Sequence, residues 1–374
     1  MFMEAITMTD PRVTKLADVL VNYSTHVQPG EWVLIVAELE ALPLAKEVAA
    51  AVLAAGGHFD IDLGTLAFRE ILMKQGSDDQ LIWSSPAELY KIEHIDVLIV
   101  LKGPENTRAL SGVDPSRQQL WGKSYTKWHD TYVKRSASGD LRWVITNFPC
   151  QALAQDADMS LPDYEDFVYG ATFVDQVDPV AAWQRVHDEQ QRLVDWMAGK
   201  KQIAIQGPNA DLSLSIEGRS FLNSDGHQNM PSGEIFTSPV EDSAQGWVAF
   251  TYPAIFRGVE VEGVRLEFDK GRVVKATAKK NEAFLQKMLD TDEGARYLGE
   301  LGIGTNFGIQ RFTKSILFDE KIGGTFHLAV GSGFPKAGGK NTSSVHWDLI
   351  CDAKQGAEMR ADGELFYQNG KFVV

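Results

Sequence analysis

Apolar and polar positions follow two different rhythms along this chain, and the change falls near its middle. In the first half, residues 31–37 hold the unbroken apolar run Trp32, Val33, Leu34, Ile35, Val36. A strand buried on both faces of a parallel sheet needs such a run. Residues 15–25 read as a helix, and so do residues 42–55, where Leu44, Val48 and Val52 recur at helical spacing before Gly56-Gly57 closes the element. Residues 59–63, 94–101 and 143–146 supply further strands, and residues 181–197 a long helix. This alternation predicts an α/β domain with a mostly parallel sheet.

The second half changes texture. Residues 211–217 alternate Leu212, Leu214 and Ile216 with polar positions, as a strand with one wet face does. Residues 261–268 and 272–277 flank Asp269-Lys270-Gly271, and residues 363–367 and 371–374 flank Asn369-Gly370, a type I′ hairpin signal. Residues 281–289 read as a helix between the hairpins. An α+β domain rich in antiparallel strands follows. With 374 residues the chain exceeds one ordinary core. The expected organisation is therefore an N-terminal α/β domain, 1–199, and a C-terminal domain, 200–374, meeting near Gly199.

Charge and cysteine content narrow the function. A net charge of −15 disfavours a nucleic-acid partner, whose backbone requires a Lys/Arg surface. Two cysteines, Cys150 and Cys351, exclude a disulfide framework and a thiolate-ligated zinc. The first ten residues lack the basic and apolar regions of a secretory leader. No apolar run approaches the ~20 residues that cross a bilayer. The expectation is a cytoplasmic chain with no membrane partner.

The candidate chemistry lies in the last third. His346 and Asp348 are two apart, so in extended chain both side chains point to one face and Trp347 to the other. His327 sits in the apolar run 323–330, which also reads as a strand. A lone histidine there is more often a satisfied core residue, and His346-x-Asp348 alone is a weak signal. Glu234 in Met-Pro-Ser-Gly-Glu and Glu300 in Leu-Gly-Glu-Leu-Gly change the picture. Glu300 is either a surface acid at an element's end or a buried carboxylate in need of a counter-charge. Imidazole and carboxylate together are the usual ligands of a catalytic divalent metal. In Asp319-Glu320-Lys321, Glu320 is either part of a charged turn or a general base or further ligand near His327. The stretch Gly331 to Lys340 superficially looks like a phosphate loop. It fails because Phe334 stands where the first glycine belongs and Asn341 follows Lys340. Among the remaining histidines only His227 lies near a proposed ligand.

These segments carry a resemblance. Residues 229–239, 299–306, 319–329 and 338–348, with 16–20, 27–35 and 147–160 in the first half, are similar to the aminopeptidase T / aminopeptidase S family of metallopeptidases. The resemblance covers nearly the whole chain. It implies a homodimeric two-metal aminopeptidase that removes N-terminal residues from peptides through a metal-bridged water or hydroxide. The domains it implies are an α/β N-terminal one and a metal-bearing C-terminal one. By motif, Glu234, Glu300, His327, His346 and Asp348 become ligands of two divalent ions (Zn, Co, Mn or Mg), with Glu300 bridging, and Glu320 becomes the proton-transfer group.

One position departs from the pattern. Family members often carry tyrosine seven residues after His327, where this chain has Phe334, a substrate-binding position by that alignment. Two alternatives stay open on the sequence: a mononuclear iron(II) ring-cleaving dioxygenase using His327, His346 and Asp348, and a catalytically weakened metal-binding homologue.

Overall fold

In the computed structural model the described residues are 10–374, so the opening segment, where no secretory leader is expected, lies almost wholly outside them. Residues up to Ala182 together with Gly226–Pro231 form one compact unit, and Trp183–Asp225 with Ser232–Val374 form the other. The boundary expected near Gly199 falls after the helix Pro179–Met197, whereas the division lies within it. The reason is packing: Leu193 and Met197 join Ile203 and Ile205 in the second unit's core.

The first unit is built on a parallel five-stranded sheet. Its order is His58–Gly64, Trp32–Glu38, Val97–Lys102, Arg142–Asn147 and the short strand Asn229–Met230. The apolar run at Trp32 lies between two partners, as its composition requires. The first helix starts earlier than its periodicity suggests, at Pro11, where the Asp10 carboxylate accepts from the Arg12 amide. It continues as a π-helical stretch, Val19–Ser24. His94 is not in a strand. It ends the helix Pro86–His94, with its Nδ1 at the Tyr90 carbonyl, and the strand begins at Val97. The helices Leu66–Gln75 and Thr126–Ser138 went unread because they bury one residue and none respectively, and so lack an apolar stripe.

Besides the two-stranded pair Ala254–Phe256 and Val259–Val261, the second unit holds two large antiparallel sheets. The larger has eight strands, and its edge hairpin turns at Asn369 (φ 49°) and Gly370 (φ 81°), the left-handed pair a type I′ turn demands. In the other expected hairpin the first strand is only Arg265–Asp269. Val259–Val261 pairs elsewhere, with Ala254–Phe256, and Gly263 at φ 64° separates the two.

The smaller sheet positions the site. Its order is Leu222–Ser224, Glu234–Thr237, Leu298–Gly304, Thr325–Gly331 and His346–Asp352. One face is core: Ile235, Leu301, Ile303, Phe326, Leu328, Val330, Trp347, Leu349 and Cys351 are buried in the unit's apolar cluster. By alternation the other face receives Glu234, Phe236, Glu300, His327, His346 and Asp348.

Candidate metal centre

The glycines of this sheet explain how one face can hold so many polar side chains. Gly302 pairs with His327, Gly304 with Glu234, and Gly331 with His346. A Cβ at Gly302 would lie 2.1 Å from the His327 ring. The strands thus leave empty ground where the candidate ligand side chains lie. A bulge at Gly299 sets the register. Leu298 pairs with Val330 on the core face, and two residues later Glu300 pairs with Ala329 on the opposite face. Without the bulge, two residues of one strand would share a face.

All five candidate ligands converge. His327 Nε2 lies 3.4 Å from Glu234 Oε2 and 3.5 Å from Glu300 Oε1. His346 Nε2 lies 3.3 Å from Glu300 Oε2 and 3.5 Å from Asp348 Oδ1. Each oxygen of Glu300 therefore faces a different imidazole. Two groups that could each hold a metal ion result, Glu234–Glu300–His327 and Glu300–His346–Asp348, within each of which the donor atoms lie within 4.8 Å of one another. Glu300 belongs to both.

The donors also fit a cation by what they lack. Glu234 Oε2, His327 Nε2 and Asp348 Oδ1 are buried without a hydrogen-bond partner, an arrangement a protein rarely keeps unless something else binds there. His346 Nδ1 lies 2.8 Å from the Ser332 carbonyl. Donating there leaves Nε2 with its lone pair aimed at Glu300 and Asp348, the usual way a ligating histidine is oriented.

Electrostatics reflect this crowding. Burial, reinforced by Glu320, pushes the Glu234 carboxyl up to about 8. Burial alone would depress His327 and His346; the carboxylates around them overcome it and hold His327 at about 10 and His346 at about 12. Burial would raise Asp348, but the His346 charge brings it down to about 2. For Glu300 the contacts with His327 and His346 likewise outweigh burial and lower it. Left to itself the cluster holds protons on its imidazoles, and a cation must displace them.

Glu320 caps the short helix Ile316–Asp319 and is raised by burial. It contacts Lys321 Nζ, which also donates to the Leu317 carbonyl at 3.0 Å. Lys321 is fully buried, and it is the residue that motif reading passed over. Its signal was a lysine between an acid and the apolar Ile322-Gly-Gly run, where a surface charge has no outlet. His227 belongs to the first unit, where its ring meets that of Tyr23 at a tilt of 40°, with ring centroids 4.7 Å apart. The Gly331–Lys340 stretch is a pinned loop, with Asn341 Nδ2 donating to the carbonyls of Gly331 and Gly294.

Carboxylate and imidazole donors without thiolate, gathered on a bare sheet face, define the class: a metal-dependent enzyme whose ions are hard or borderline. The chain belongs to the family of thermophilic metalloproteases (M29), whose model matches residues 9–372. It is 26% identical over 394 residues to Aminopeptidase 2 of Geobacillus stearothermophilus, covering 95% of this chain and 94% of that relative. In fold it is similar to wild-type AmpT from Thermus thermophilus, with a TM-score of 0.85, 22% identity, and 97% and 99% of the two chains covered. A 2,5-dihydroxypyridine dioxygenase from Pseudomonas putida KT2440 is similar at a TM-score of 0.58, with 13% identity over 97% of each chain. No helix among the described residues is long and apolar enough to cross a membrane.

Proposed function

We infer that this chain is a metal-dependent aminopeptidase working with two divalent cations. Glu234, Glu300 and His327 would hold one and Glu300, His346 and Asp348 the other, with Glu300 common to both. The observation that carries this reading is the pair of ligand groups sharing Glu300. Charge supports it as well. Glu234, Glu300, Asp348 and Glu320 set four carboxylates against the single Lys321 ammonium. Two dications and the hydroxide that hydrolysis consumes restore neutrality, which a site this buried requires.

When bound, such ions supply a hydroxide at neutral pH and polarise the scissile carbonyl. The chain's own residues do the rest. Ser332 fixes the His346 tautomer, and the glycine-lined face keeps the imidazoles unobstructed. Glu320, steadied by Lys321, would take the proton that the added hydroxide still carries once its oxygen has bonded to the carbonyl carbon, and pass it to the leaving amine as the C–N bond breaks. The substrates are peptides with a free N-terminus. Zn, Co, Mn and Mg are the candidate ions.

A mononuclear iron dioxygenase built on His327, His346 and Asp348 would leave Glu234 and Glu300 without work, and likeness to a dioxygenase extends to fold alone. Two buried unpaired cysteines suit a reducing compartment, the cytoplasm. A homodimer completes the reading. The exposed Phe59, Leu63, Phe68 and Ile71, on and beside the edge strand His58–Gly64, offer apolar surface for a second copy.

The deciding experiment is metal stoichiometry measured beside hydrolysis of aminoacyl-p-nitroanilides. Two ions per chain and turnover are expected, both lost in Glu300→Gln. One iron with oxygen uptake, or a Glu300→Gln protein with full metal content and full rate, would overturn the reading.

A further inference from the structure

The candidate ligands are unequally closed off. The side chains of Glu234, Glu300 and His327 are at most 6% exposed and that of Asp348 is 10% exposed, but that of His346 is 32% exposed. The site therefore opens along the edge where His346 lies. Phe334 stands at that edge. Its ring meets the His346 ring edge-on at 5.2 Å between centroids, and the Phe236 ring edge-on at 5.1 Å.

Both phenylalanines are rigidly held. The Phe334 amide donates to Ser238 Oγ at 2.9 Å, and its carbonyl accepts from the amides of Ala337 at 3.0 Å and Gly339 at 2.9 Å. Phe236 sits on the strand of Glu234, two residues on and on the same face. Neither ring belongs to the unit's apolar core, and Phe334 stays 36% exposed. Two aromatic side chains fixed at the mouth of a charged site, and not needed for the core, are a built apolar wall.

We propose that Phe334 and Phe236 receive the side chain of the substrate's first residue and select leucine, methionine and phenylalanine over glycine, alanine and acidic residues. This rests on the aminopeptidase reading. In a peptide the first side chain branches from the carbon between the free amine and the scissile carbonyl, and both of those must reach the ligand cluster. The side chain therefore has to lie within a few bonds of His346 and leave along its open edge, against the two rings. Each methylene buried there is worth about fourfold, so leucine should exceed alanine by about 10–10²-fold. An acidic side chain stripped of water against two rings finds no partner and is rejected.

The test is kcat/KM of the full-length protein, loaded with whichever of Zn, Co, Mn or Mg gives the highest rate, on 4-methylcoumarin amides of Leu, Met, Phe, Ala, Gly and Glu. The expected result is a preference of at least about 10-fold for the first three. Phe334→Ala and Phe236→Ala should shrink the Leu-to-Ala ratio to a few-fold, chiefly through KM, with metal content and melting temperature checked beside wild type. Phe334→Leu should keep the preference. If wild type hydrolyses the panel without favouring the apolar residues, or if both alanine variants bind metal, fold and keep the full ratio, the wall is wrong and the peptidase reading survives. If no amide is hydrolysed with any ion, the peptidase reading falls and the wall with it.

Discussion

Gly302 and His327 face each other so closely across neighbouring strands that a Cβ on residue 302 would lie 2.1 Å from Cε1 and 2.2 Å from Nε2 of the imidazole. The ring is buried between Glu234 and Glu300 and has nowhere to swing. Gly302→Ala should therefore fold, at a cost of about 1–3 kcal/mol, but bind less divalent metal and lose about 10²-fold or more in rate. Metal analysis and far-UV circular dichroism on the same preparation check this. Wild-type metal content together with wild-type rate would mean the imidazole has room.

Lys321 supplies the one ammonium among the buried carboxylates of the site, and its Nζ contacts Glu320. Burial alone would lower its pKa, yet Glu320 and Glu234 raise it, so it stays charged. Lys321→Met strands Glu320 and should destabilise the fold by about 3–5 kcal/mol, as removal of one partner of a buried pair does. Urea unfolding measures it. Lys321→Met, Glu320→Gln should recover part of the loss, because the double variant has no stranded charge.

Asp319 gives the fold a pH dependence of its own. Burial raises its carboxyl to about 7, although Thr313 donates to it through both its amide and its hydroxyl. A carboxyl raised above its unfolded value stabilises the fold fully below the unfolded pKa near 4, and that contribution is lost as pH climbs through 7. The loss amounts to at most about 4 kcal/mol. Asp319→Asn keeps an acceptor oxygen and cannot ionise. Between about pH 4 and pH 7.5, wild type should therefore lose stability relative to the variant. Unfolding curves that run parallel across that window would refute it.

The unpartnered oxygens and nitrogen of Glu234, Asp348 and His327 predict that ions stabilise the second unit. Chelation should lower the melting temperature, and readdition of the divalent ion should restore it in proportion to the logarithm of its concentration. A melting curve indifferent to chelator would mean that the cluster binds no ion tightly.

Phe334→Tyr keeps the aromatic contacts with Phe236 and His346 and adds a hydroxyl at the open edge. If that hydroxyl reaches the developing oxyanion, kcat should rise by about 10²–10³-fold at similar KM, the value of one such donor. Steady-state kinetics on a leucine amide decides. An unchanged kcat would mean that this protein stabilises the charge from elsewhere.

Much of this protein was legible in its residues. The unbroken Trp32–Val36 run announced a buried parallel strand, and Asn369-Gly370 announced the hairpin found there. The spacing of His346 and Asp348 put both on one face, because side chains alternate along any strand. The helices Leu66–Gln75 and Thr126–Ser138 escaped because they bury almost nothing.

Residue types and periodicity thus determine which groups can share a face, since both follow from local backbone geometry. Only the tertiary structure decides which strands become neighbours. It brings Glu234 and Glu300 to His327 across the order of one sheet, and turns Glu300 away from the core by a one-residue bulge at Gly299. Those outcomes depend on pairing between segments far apart in the chain, where register is a property of two strands and of no single stretch of sequence.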